Sequence, residues 1–401
     1  MIFDTLKKSA SISNSSELAA YLGGGYDSIS GVSVTPETAM KYSVVFSCIK
    51  VLSESVGMLP LHLYKETGDS KKKARGHNLY DLLHDEPNGY QTAQEFKEML
   101  VAHVCLRGNF YAYINRVRGE VRELLPFNPD AVVPVLDDNY DLKYKVTYAN
   151  GSSAVLDQKD VFHIKGLTLD GFTGVSVIKY AKDSIGLGIA TERHGAKLFS
   201  NGARPGGILS TENKLTDEQI PRIRESWNST HGGAENAHKT AILEGGLTWT
   251  AIGMTSEDSQ FLETRKYQRS EIAGMFRVPP HMIGDLERST NNNIEHQGQE
   301  FVTYSLMPYL TRIEQRVRKS LLSKKEKGEY FVKFNVGALV RGDMKTRGEW
   351  YTKLILTGMM SPNEGRELED MNPRDDGDNY LTPLNMDPNA KPKEESDNDK
   401  E

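Results

Sequence analysis

The chain has 401 residues, of which 38% are hydrophobic and 26% are charged, and its formal net charge at pH 7 is −6. A chain of this length can bury at least one sizeable core, and we expect two or three substructures. The acidic balance argues against a protein that grips nucleic acid over a large basic surface, because such binding requires lysine and arginine to displace counterions from phosphate.

The two cysteines of the chain, Cys48 and Cys105, both lie in apolar helical patterns. We therefore predict two buried thiols and exclude a disulfide scaffold. The N-terminus has no continuous apolar segment of signal-peptide length, and nowhere do roughly 18 apolar residues follow one another. We expect no membrane association.

The first predicted element is a flexible N-terminal arm, residues 1–35, which is rich in Ser, Gly and Asn. Order is expected to begin near Pro36. Apolar residues then recur at spacings of three and four between residues 44 and 59, which predicts an amphipathic helix that ends before Pro60.

A second helix is predicted from about Thr92 to Leu106, and several short alternating runs follow it. Runs of strands after helices indicate an α+β domain that extends to about residue 168. The strand candidates are NFYAYINR, VRELLPF, AVVPVL, LKYKVTYAN, SAVLD and DVFHIKG.

After Thr173 the pattern predicts a helix of more than 20 residues with a thin apolar stripe and three glycines, Gly186, Gly188 and Gly195. Each glycine costs a helix up to about 1 kcal/mol relative to alanine. Three of them indicate that a neighbouring backbone approaches closely, and this neighbour need not belong to the same chain.

The next segment predicts a compact α/β insert of about 50 residues between two long helices. Thr216 and Gln219 form a plausible capping box for its short helix, which should extend to about Thr230. The second long helix, about residues 256–276, has a middle, ETRKYQRSE, with almost nothing to bury. In a single subunit this helix would gain little from packing.

Two prolines should end that helix, because proline lacks an amide donor and restricts the residue before it. We predict an exposed polar loop bounded by Val278, Pro279, Pro280 and Gly284, and a long helix from about Ile294 to Leu322. Pro308 is expected to kink this helix.

The C-terminal part predicts a strand, EYFVKFNV, a helix that begins near Asp343, and a capping box in which Ser361 caps, Pro362 follows and Glu364 closes. The composition beyond Asn372 predicts disorder.

Residue patterns typical of catalysis are missing from the sequence. Histidines are dispersed, no P-loop or G-x-S-x-G occurs, and the acidic pairs fit a helix start or a polar tail. We predict no catalytic residue, metal site or cofactor. Two basic runs, DSKKKARGH and LSKKEKGE, are interpreted as solvated turns, and a contact with nucleic acid is the alternative.

The order of these elements resembles the portal protein of tailed bacteriophages, in the subfamily common among siphophages, from about Tyr42 to Asp378. The segments that carry the resemblance are SVVFSCIKVLSESVGMLPLHLYK, HNLYDLLHDEPN, DVFHIKGLTLDGFTGVSVI, FSNGARPGGIL, DSQFLETRKYQRSEIAGMFRVPPHMIGDL and GMMSPNEGRELEDMNP. Each motif alone is unspecific, whereas their order and spacing are specific.

The resemblance implies a portal-protein fold of α+β class whose subunits form a ring, typically of twelve, around an axial channel at one capsid vertex. Double-stranded DNA would pass through this channel during packaging and ejection. The parts that it implies are the arm (1–35), wing (36–172 and 294–342), stem helices (173–202 and 256–276), clip (203–255), tunnel loop (277–293), crown (343–380) and disordered tail (381–401).

The resemblance also implies roles for particular residues. Neutral polar groups would let DNA slide without strong binding, and the DNA-facing tunnel-loop residues would be Arg288, Ser289, Thr290, Asn291, Asn292 and Asn293. A solvated interhelical loop is the alternative. The stem glycines named above would pack against neighbouring subunits, because a closed ring brings identical helices together.

For the clip, the resemblance implies a surface that docks the large terminase subunit and later the head-tail adaptor. Its candidate residues are Arg222, Arg224, Glu225 and Trp227, although a tryptophan in so small an insert is more typical of its core. The major capsid protein is a further implied partner. The protein would be located in the virion, at the portal vertex, after assembly in the host cytoplasm.

Two other hypotheses stay open on the residues alone. One is a metal-dependent enzyme that processes nucleic acid, which would need a compact carboxylate or histidine cluster. The other is a non-viral oligomeric scaffold without a DNA contact. The predicted crown is short, so any function that requires an extended helical crown is in doubt.

Overall fold

The structure, a computed structural model, describes residues 26–68, 70–200, 207–211, 214–231, 246–251, 256–286, 291–338, 344–369 and 371–381. The chain divides into two compact units, Met1–Phe334 and Asn335–Glu401. Helices and antiparallel sheets occur together in the first unit, which makes it an α+β structure.

Twelve α-helices lie in the described residues. In chain order, α1 to α12 are Pro36–Met40, Ser43–Gly57, Asn78–His84, Ala93–Arg107, Val177–Tyr180, Lys182–Ser200, Gln219–His231, Ser256–Phe276, Asn291–Glu300, Met307–Ser320, Met344–Leu356 and Pro362–Leu368.

Thirteen strands are described, and every pairing among them is antiparallel. The sheets have the orders β1-β2, β10-β5-β6, β11-β12, β13-β3-β4 and β7-β8-β9. Strands β1 to β13 are Tyr26–Asp27, Ser33–Val34, Leu61–Thr67, Ser70–Lys73, Asn109–Val117, Glu120–Pro126, Val132–Leu136, Leu142–Thr147, Ser153–Asp157, Val161–Lys165, Gly207–Ser210, Thr248–Ala251 and Tyr330–Phe334.

The core of the first unit is built on helices α2 and α4, which pack against each other. The predicted apolar face of α2 is buried, including Cys48 and Leu52, and α4 buries Phe96, Leu100 and Val104. Phe96 meets Phe110 of β5 edge to face, with ring centroids 5.3 Å apart. The periodic helices were therefore predicted correctly from their apolar spacing.

Both cysteines are free and buried, as predicted. Burial raises the pKa of the Cys48 thiol to about 12 and that of Cys105 to about 11. Neither thiol is therefore activated at neutral pH.

The expectation that order begins near Pro36 is wrong. Residues 26–34 form a small hairpin, β1-β2, and this hairpin is bonded to the rest of the unit. The amide of Ile29 donates to Asp183 Oδ1 over 2.9 Å, and the Ser28 hydroxyl donates to Val32 O over 2.7 Å. Tertiary contacts order this segment, although its composition resembles that of a flexible arm.

The first long helix differs from the single element that the sequence predicts. Helix α5 ends at Tyr180, and Ala181 has φ −92° and ψ 8°, outside the helical region, before α6 begins at Lys182. Ile178, Ala181 and Ile185 are buried on both sides of this break. The apolar stripe is therefore continuous although the backbone is not.

The second unit contains α11 and α12. The Ser361 hydroxyl accepts from the Glu364 amide over 3.2 Å and the Glu364 carboxylate accepts from the Ser361 amide over 2.8 Å, so the predicted capping box is present. Residues 371–381 are ordered, contrary to the prediction from composition, because Asn363 binds them. Its side chain donates to Arg374 O and Asp378 Oδ1, and its amide donates to Gly377 O.

Candidate functional site

The candidate site begins where helix α8 ends, at Phe276. Arg277 follows in the left-handed region with φ 56°, an uncommon conformation for a residue with a side chain. The amide of Arg277 donates to Gly274 O over 3.0 Å, and that of Val278 donates to Ala273 O over 2.9 Å. Since Pro279 and Pro280 cannot donate, the helix ends at the position that the two prolines predict.

A 3-10 turn, Pro280–Ile283, follows the prolines. Gly284 ends it with φ 81°, a conformation that glycine adopts without steric cost. The amide of Asp285 donates back to Pro280 O over 3.0 Å. We call residues 277–286 the tunnel segment, because they are the described first part of the predicted tunnel loop.

The tunnel segment is held to two neighbouring helical elements. On one side, Arg269 of α8 donates to Ile283 O over 3.2 Å. On the other side, the His281 ring bonds the Gln297 side chain of α9 over 2.7 Å, and Ser305 donates its hydroxyl proton to Arg277 O over 2.5 Å. The prediction of an exposed loop is therefore wrong for Val278, which is buried, whereas Gly284 and Leu286 are exposed as predicted.

Ser305 lies in a π-helical segment, Phe301–Leu306, between α9 and α10. This irregular turn directly precedes Met307 and Pro308, where the sequence predicts a kink. Pro308 has no amide proton for Tyr304 O, its normal acceptor four residues earlier, and the helix widens so that Met307 donates to Val302 O. Arg277 donates to Tyr304 O over 3.4 Å, so the tunnel segment binds at the irregular turn.

The start of α9 corrects a second prediction about the loop. Asn291, Asn292 and Asn293 have helical backbones, so the helix begins three residues before the predicted Ile294. Arg288, Ser289 and Thr290, the other predicted DNA-facing residues, lie outside the described residues. The structure thus places half of the predicted loop residues in the first turn of a helix.

Two of the three predicted stem glycines have their close neighbours in the same chain. A Cβ on Gly186 would overlap the Ser28 side chain of the N-terminal hairpin, and one on Gly188 would lie 2.8 Å from ring atoms of Tyr42. The absence of a side chain at these positions admits the hairpin and the tyrosine. The sequence-based reason for these glycines, packing against another subunit, is therefore corrected, and Gly195 is buried.

The two long helices pack against each other, and α8 also packs on α2. Ile272, Ala273 and Phe276 are buried near the C-terminal end of α8. Residues 263–267 are exposed, as the polar middle of this helix predicts, and Tyr267 is 69% exposed. In a single subunit, therefore, only part of each helix is covered.

The predicted clip contains the strand pair β11-β12 and helix α7. The amide of Thr216 donates to the Gln219 side chain over 2.9 Å, as one half of the expected capping box. Arg222, Arg224 and Glu225 are exposed, and Trp227 is half-buried. This partial burial fits both interpretations of the tryptophan.

Within the described ranges, no group of three or more His, Cys, Asp or Glu residues is arranged to hold a metal ion. No helix among these residues is both long enough and apolar enough for a membrane span.

The family model for the phage portal protein matches residues 43–370. The chain belongs to the phage portal protein family. It is 35% identical to the portal protein of Enterobacteria phage HK97 over 86% of this chain and 82% of that protein. It is 34% identical to a probable portal protein of Streptomyces phage phiC31, over 89% of this chain and 81% of that protein.

Among solved structures, a chain in the neck of an empty gene transfer agent (GTA) particle, computed with C6 symmetry, matches with a TM-score of 0.63 at 25% identity. The match covers 84% of this chain and 94% of that chain. A chain in the neck of the native particle, computed with C12 symmetry, gives a TM-score of 0.60. These likenesses confirm the predicted portal fold of α+β class.

Family membership confirms the function that the resemblance implies, a channel for DNA at the portal vertex of a phage capsid. It also supports a ring of identical subunits in the virion. Portal proteins are structural proteins.

Sequence reasoning missed Ser305, His281 and Gln297, whose hydrogen bonds hold the tunnel segment in place. The only local signal was Pro308. Because proline has no amide proton, it leaves a helix carbonyl without its usual donor.

Proposed function

We propose that the tunnel segment and the following residues, 287–293, line the channel and contact the DNA that passes through it. The observation that carries the proposal is the anchoring of residues 277–286 between α8 and the π-helical segment. Three hydrogen bonds to α9 and the π-helical turn fix where this connection leaves the stem, and a channel contact requires such a fixed position.

The chemistry of the segment suits a sliding contact. Between Val278 and Asn293 the sequence has two acidic residues, one arginine and a run of neutral polar side chains. Each additional lysine or arginine on phosphate would strengthen binding and make it more salt dependent. Neutral amides and hydroxyls form hydrogen bonds with phosphate but bind it more weakly than lysine or arginine do. The DNA can therefore stay centred in the channel while it moves.

We further assign the parts of the chain to the family's architecture. Residues 36–172 and 294–342 form the wing, the helices within 173–202 and 256–276 form the stem, 203–255 form the clip, and 343–380 form the crown. A ring of twelve subunits agrees with the C12 and C6 symmetries with which the similar GTA necks were computed. The clip would dock terminase and then the adaptor, and the wing would contact the major capsid protein.

The channel contact is tested by replacing Asn291, Asn292 and Asn293 with alanine. Alanine is preferable to glycine because these residues lie in the first turn of α9, where glycine would weaken the helix by about 1 kcal/mol each. We expect rings of unchanged mass and symmetry, together with particles that contain or retain less DNA. The measurements are negative-stain imaging of the rings and quantification of DNA in the particles.

The matched control replaces three asparagines outside the segment, Asn139, Asn372 and Asn379, with alanine. This control should package the normal amount of DNA. Normal packaging and retention in the Asn291–Asn293 variant would remove these residues from the channel contact, whereas a loss of rings would show that they act in folding or assembly instead.

A further inference from the structure

The fold brings together the two basic runs that the sequence separates by about 250 residues. The first run lies on the β3-β4 hairpin, and the second lies on the turn between α10 and β13. Strand β3 pairs with β4 on one side and with β13 on the other, so both runs lie at one end of the same sheet. Neither run alone has more positive charge than an ordinary solvent-exposed turn.

Particular contacts fix this juxtaposition. The amide of Glu66 donates to Glu329 O over 2.8 Å, and Lys65 Nζ lies 3.4 Å from the Glu329 carboxylate. His77, just after the hairpin, bonds Glu326 over 3.0 Å and packs its ring on Tyr330 with centroids 4.9 Å apart. Side-chain and backbone contacts therefore both join the hairpin to the turn.

We define the basic surface as residues 65–75 together with 318–329. These two segments hold ten lysines and arginines against four acidic residues, a formal charge of +6, whereas the whole chain carries −6. Asp69 is one of the four acids and lies outside the described residues. The rest of the chain therefore carries a formal charge of −12, from −6 minus +6.

Two of the four acids on the basic surface, Glu326 and Glu329, have partners within the chain. Glu329 pairs with Lys65, and Glu326 accepts from the Ser323 amide over 2.7 Å and bonds His77. In contrast, Lys72, Lys324 and Lys325 are exposed, and no carboxylate within the described ranges pairs with them. Their charges are available to an external anion.

Aromatic rings lie under some of the cations. Lys65 Nζ is 5.5 Å from the centroid of the Tyr330 ring, and Lys71 Nζ is 5.9 Å from that of Tyr64. The Phe331 ring also stacks on Tyr64, with centroids 5.4 Å apart. Such packing limits the freedom of the lysine side chains, which lowers the entropy that a bound anion would have to offset.

The basic surface is remote from the tunnel segment along the π-helical segment and α10. Ser305 contacts the tunnel segment, and Lys319 lies fourteen residues later, which corresponds to about 20 Å at 1.5 Å per helical residue. The tunnel loop has no lysine, whereas the basic surface, which is rich in lysine, lies elsewhere on the subunit.

We propose that the basic surface binds the phosphate backbone of double-stranded DNA outside the channel, without regard to sequence. Lysine suits this role because its ammonium group is a point charge that contacts phosphate and carries no base specificity. In a ring, each subunit would present one copy of the basic surface, so that one portal could contact several phosphates of the same DNA. The proposal rests on the family's function in DNA packaging and is independent of the tunnel-segment assignment.

The test measures the binding of short mixed-sequence duplex DNA to the purified ring. Fluorescence anisotropy gives the binding constant at several salt concentrations between about 50 and 200 mM. The variant carries Lys72→Gln, Lys324→Gln and Lys325→Gln. We expect weaker binding, with the slope of log K against log salt reduced by about 0.9 for each lysine that contacts phosphate. A second duplex of different sequence should give the same result.

Two matched variants control for charge and for folding. Lys50→Gln, Lys145→Gln and Lys353→Gln remove the same charge from exposed positions elsewhere and should keep the parent slope. The conservative variant Lys72→Arg, Lys324→Arg and Lys325→Arg should keep the parent affinity. A slope that falls equally in the Lys50 control would show an effect of net charge and would overturn the proposal.

Poly-glutamate is the second probe, because an acidic protein segment is the other partner that a lysine surface fits. Binding of poly-glutamate that depends on the three lysines, with DNA binding unaffected by their loss, would overturn the proposal in favour of a protein partner. An unchanged slope with both probes would also overturn it. The packaging defect expected for the asparagine variant is a separate measurement, so the two proposals fail independently.

Discussion

At the scale of single residues, His163 shows how this fold satisfies a buried polar group. The side chain is fully buried, and it bonds Asn109 Oδ1 through Nε2 over 2.9 Å and the Tyr144 hydroxyl through Nδ1 over 3.0 Å. Asn109 uses its own amide group as a donor to Gly174 O, so its Oδ1 accepts from the histidine. In the neutral imidazole this arrangement places the proton on Nε2, and the Tyr144 hydroxyl donates to Nδ1.

Burial, together with the nearby positive charges of Arg316 and Lys165, holds the pKa of His163 well below its usual value. Between the lowered pKa and about 6.5, the unfolded chain binds a proton that the folded chain does not. The free energy of unfolding should consequently fall as the pH falls below 6.5, by at most about 1.4 kcal/mol per pH unit for this one group.

The prediction is that His163→Gln makes this pH dependence shallower, while it lowers stability at pH 7 through altered packing. Urea unfolding of both proteins between about pH 4.5 and 7 measures the effect, since one proton fewer is taken up on unfolding. Parallel stability curves for the two proteins would contradict this account of His163.

At the scale of elements, glycines on α6 and α8 illustrate two different uses of the same residue. Gly188 on α6 leaves room for the Tyr42 ring, whereas Gly274 on α8 has no heavy atom within 4 Å of the position of an added Cβ. The sequence treats both as weak helix residues. Only the packing shows that glycine is required at position 188 and not at position 274.

We predict opposite effects for alanine at these two positions. Gly188→Ala should lower the free energy of unfolding by about 1 to 3 kcal/mol, because its Cβ would overlap Tyr42. Gly274→Ala should raise it by up to about 1 kcal/mol through helix propensity. Urea unfolding of the two variants checks this, and a gain in stability for Gly188→Ala would contradict the packing described for Tyr42.

At the scale of the whole molecule, the exposed apolar residues of helices α6 and α8 point to contacts between subunits. Leu187 is 42% exposed and Tyr267 is 69% exposed, although both lie on helices that pack well elsewhere. A ring of identical subunits, which the family forms, would cover such residues with the next copy. Their exposure in the single chain means that folding of the subunit does not depend on them.

Tyr267→Glu should therefore shift the purified protein from rings toward single subunits, while the unfolding temperature of the subunit changes little. Native mass and negative-stain symmetry measure the shift. Tyr148→Glu is the matched control, since it makes the same change at another exposed tyrosine, outside helices α6 and α8. Rings of unchanged stability in the Tyr267 variant would place this residue outside the interface.

Local periodicity was sufficient to predict α2, α4, strands β5 to β10, strand β13 and the capping box at Ser361, because their signals come from residues two to four positions apart. It did not predict β1, β2 or β4. It also predicted the helix end at Pro279 and Pro280. The order of these elements was specific enough to indicate the family. The composition of residues 26–35 and of those beyond Asn372 suggested disorder. Hydrogen bonds of residues 26–35 to Asp183 and of residues 374–378 to Asn363 overturn this prediction.

Only the tertiary structure decided which distant residues contact each other. The hairpin against Gly186, the Ser305 bond to Arg277 and the meeting of the two basic runs all join residues that are 28 to about 260 positions apart. No local pattern encodes such contacts, since they depend on how the sheets and helices pack as a whole. The sequence by itself determined the elements and the family, and packing decided which faces, glycines and charges meet.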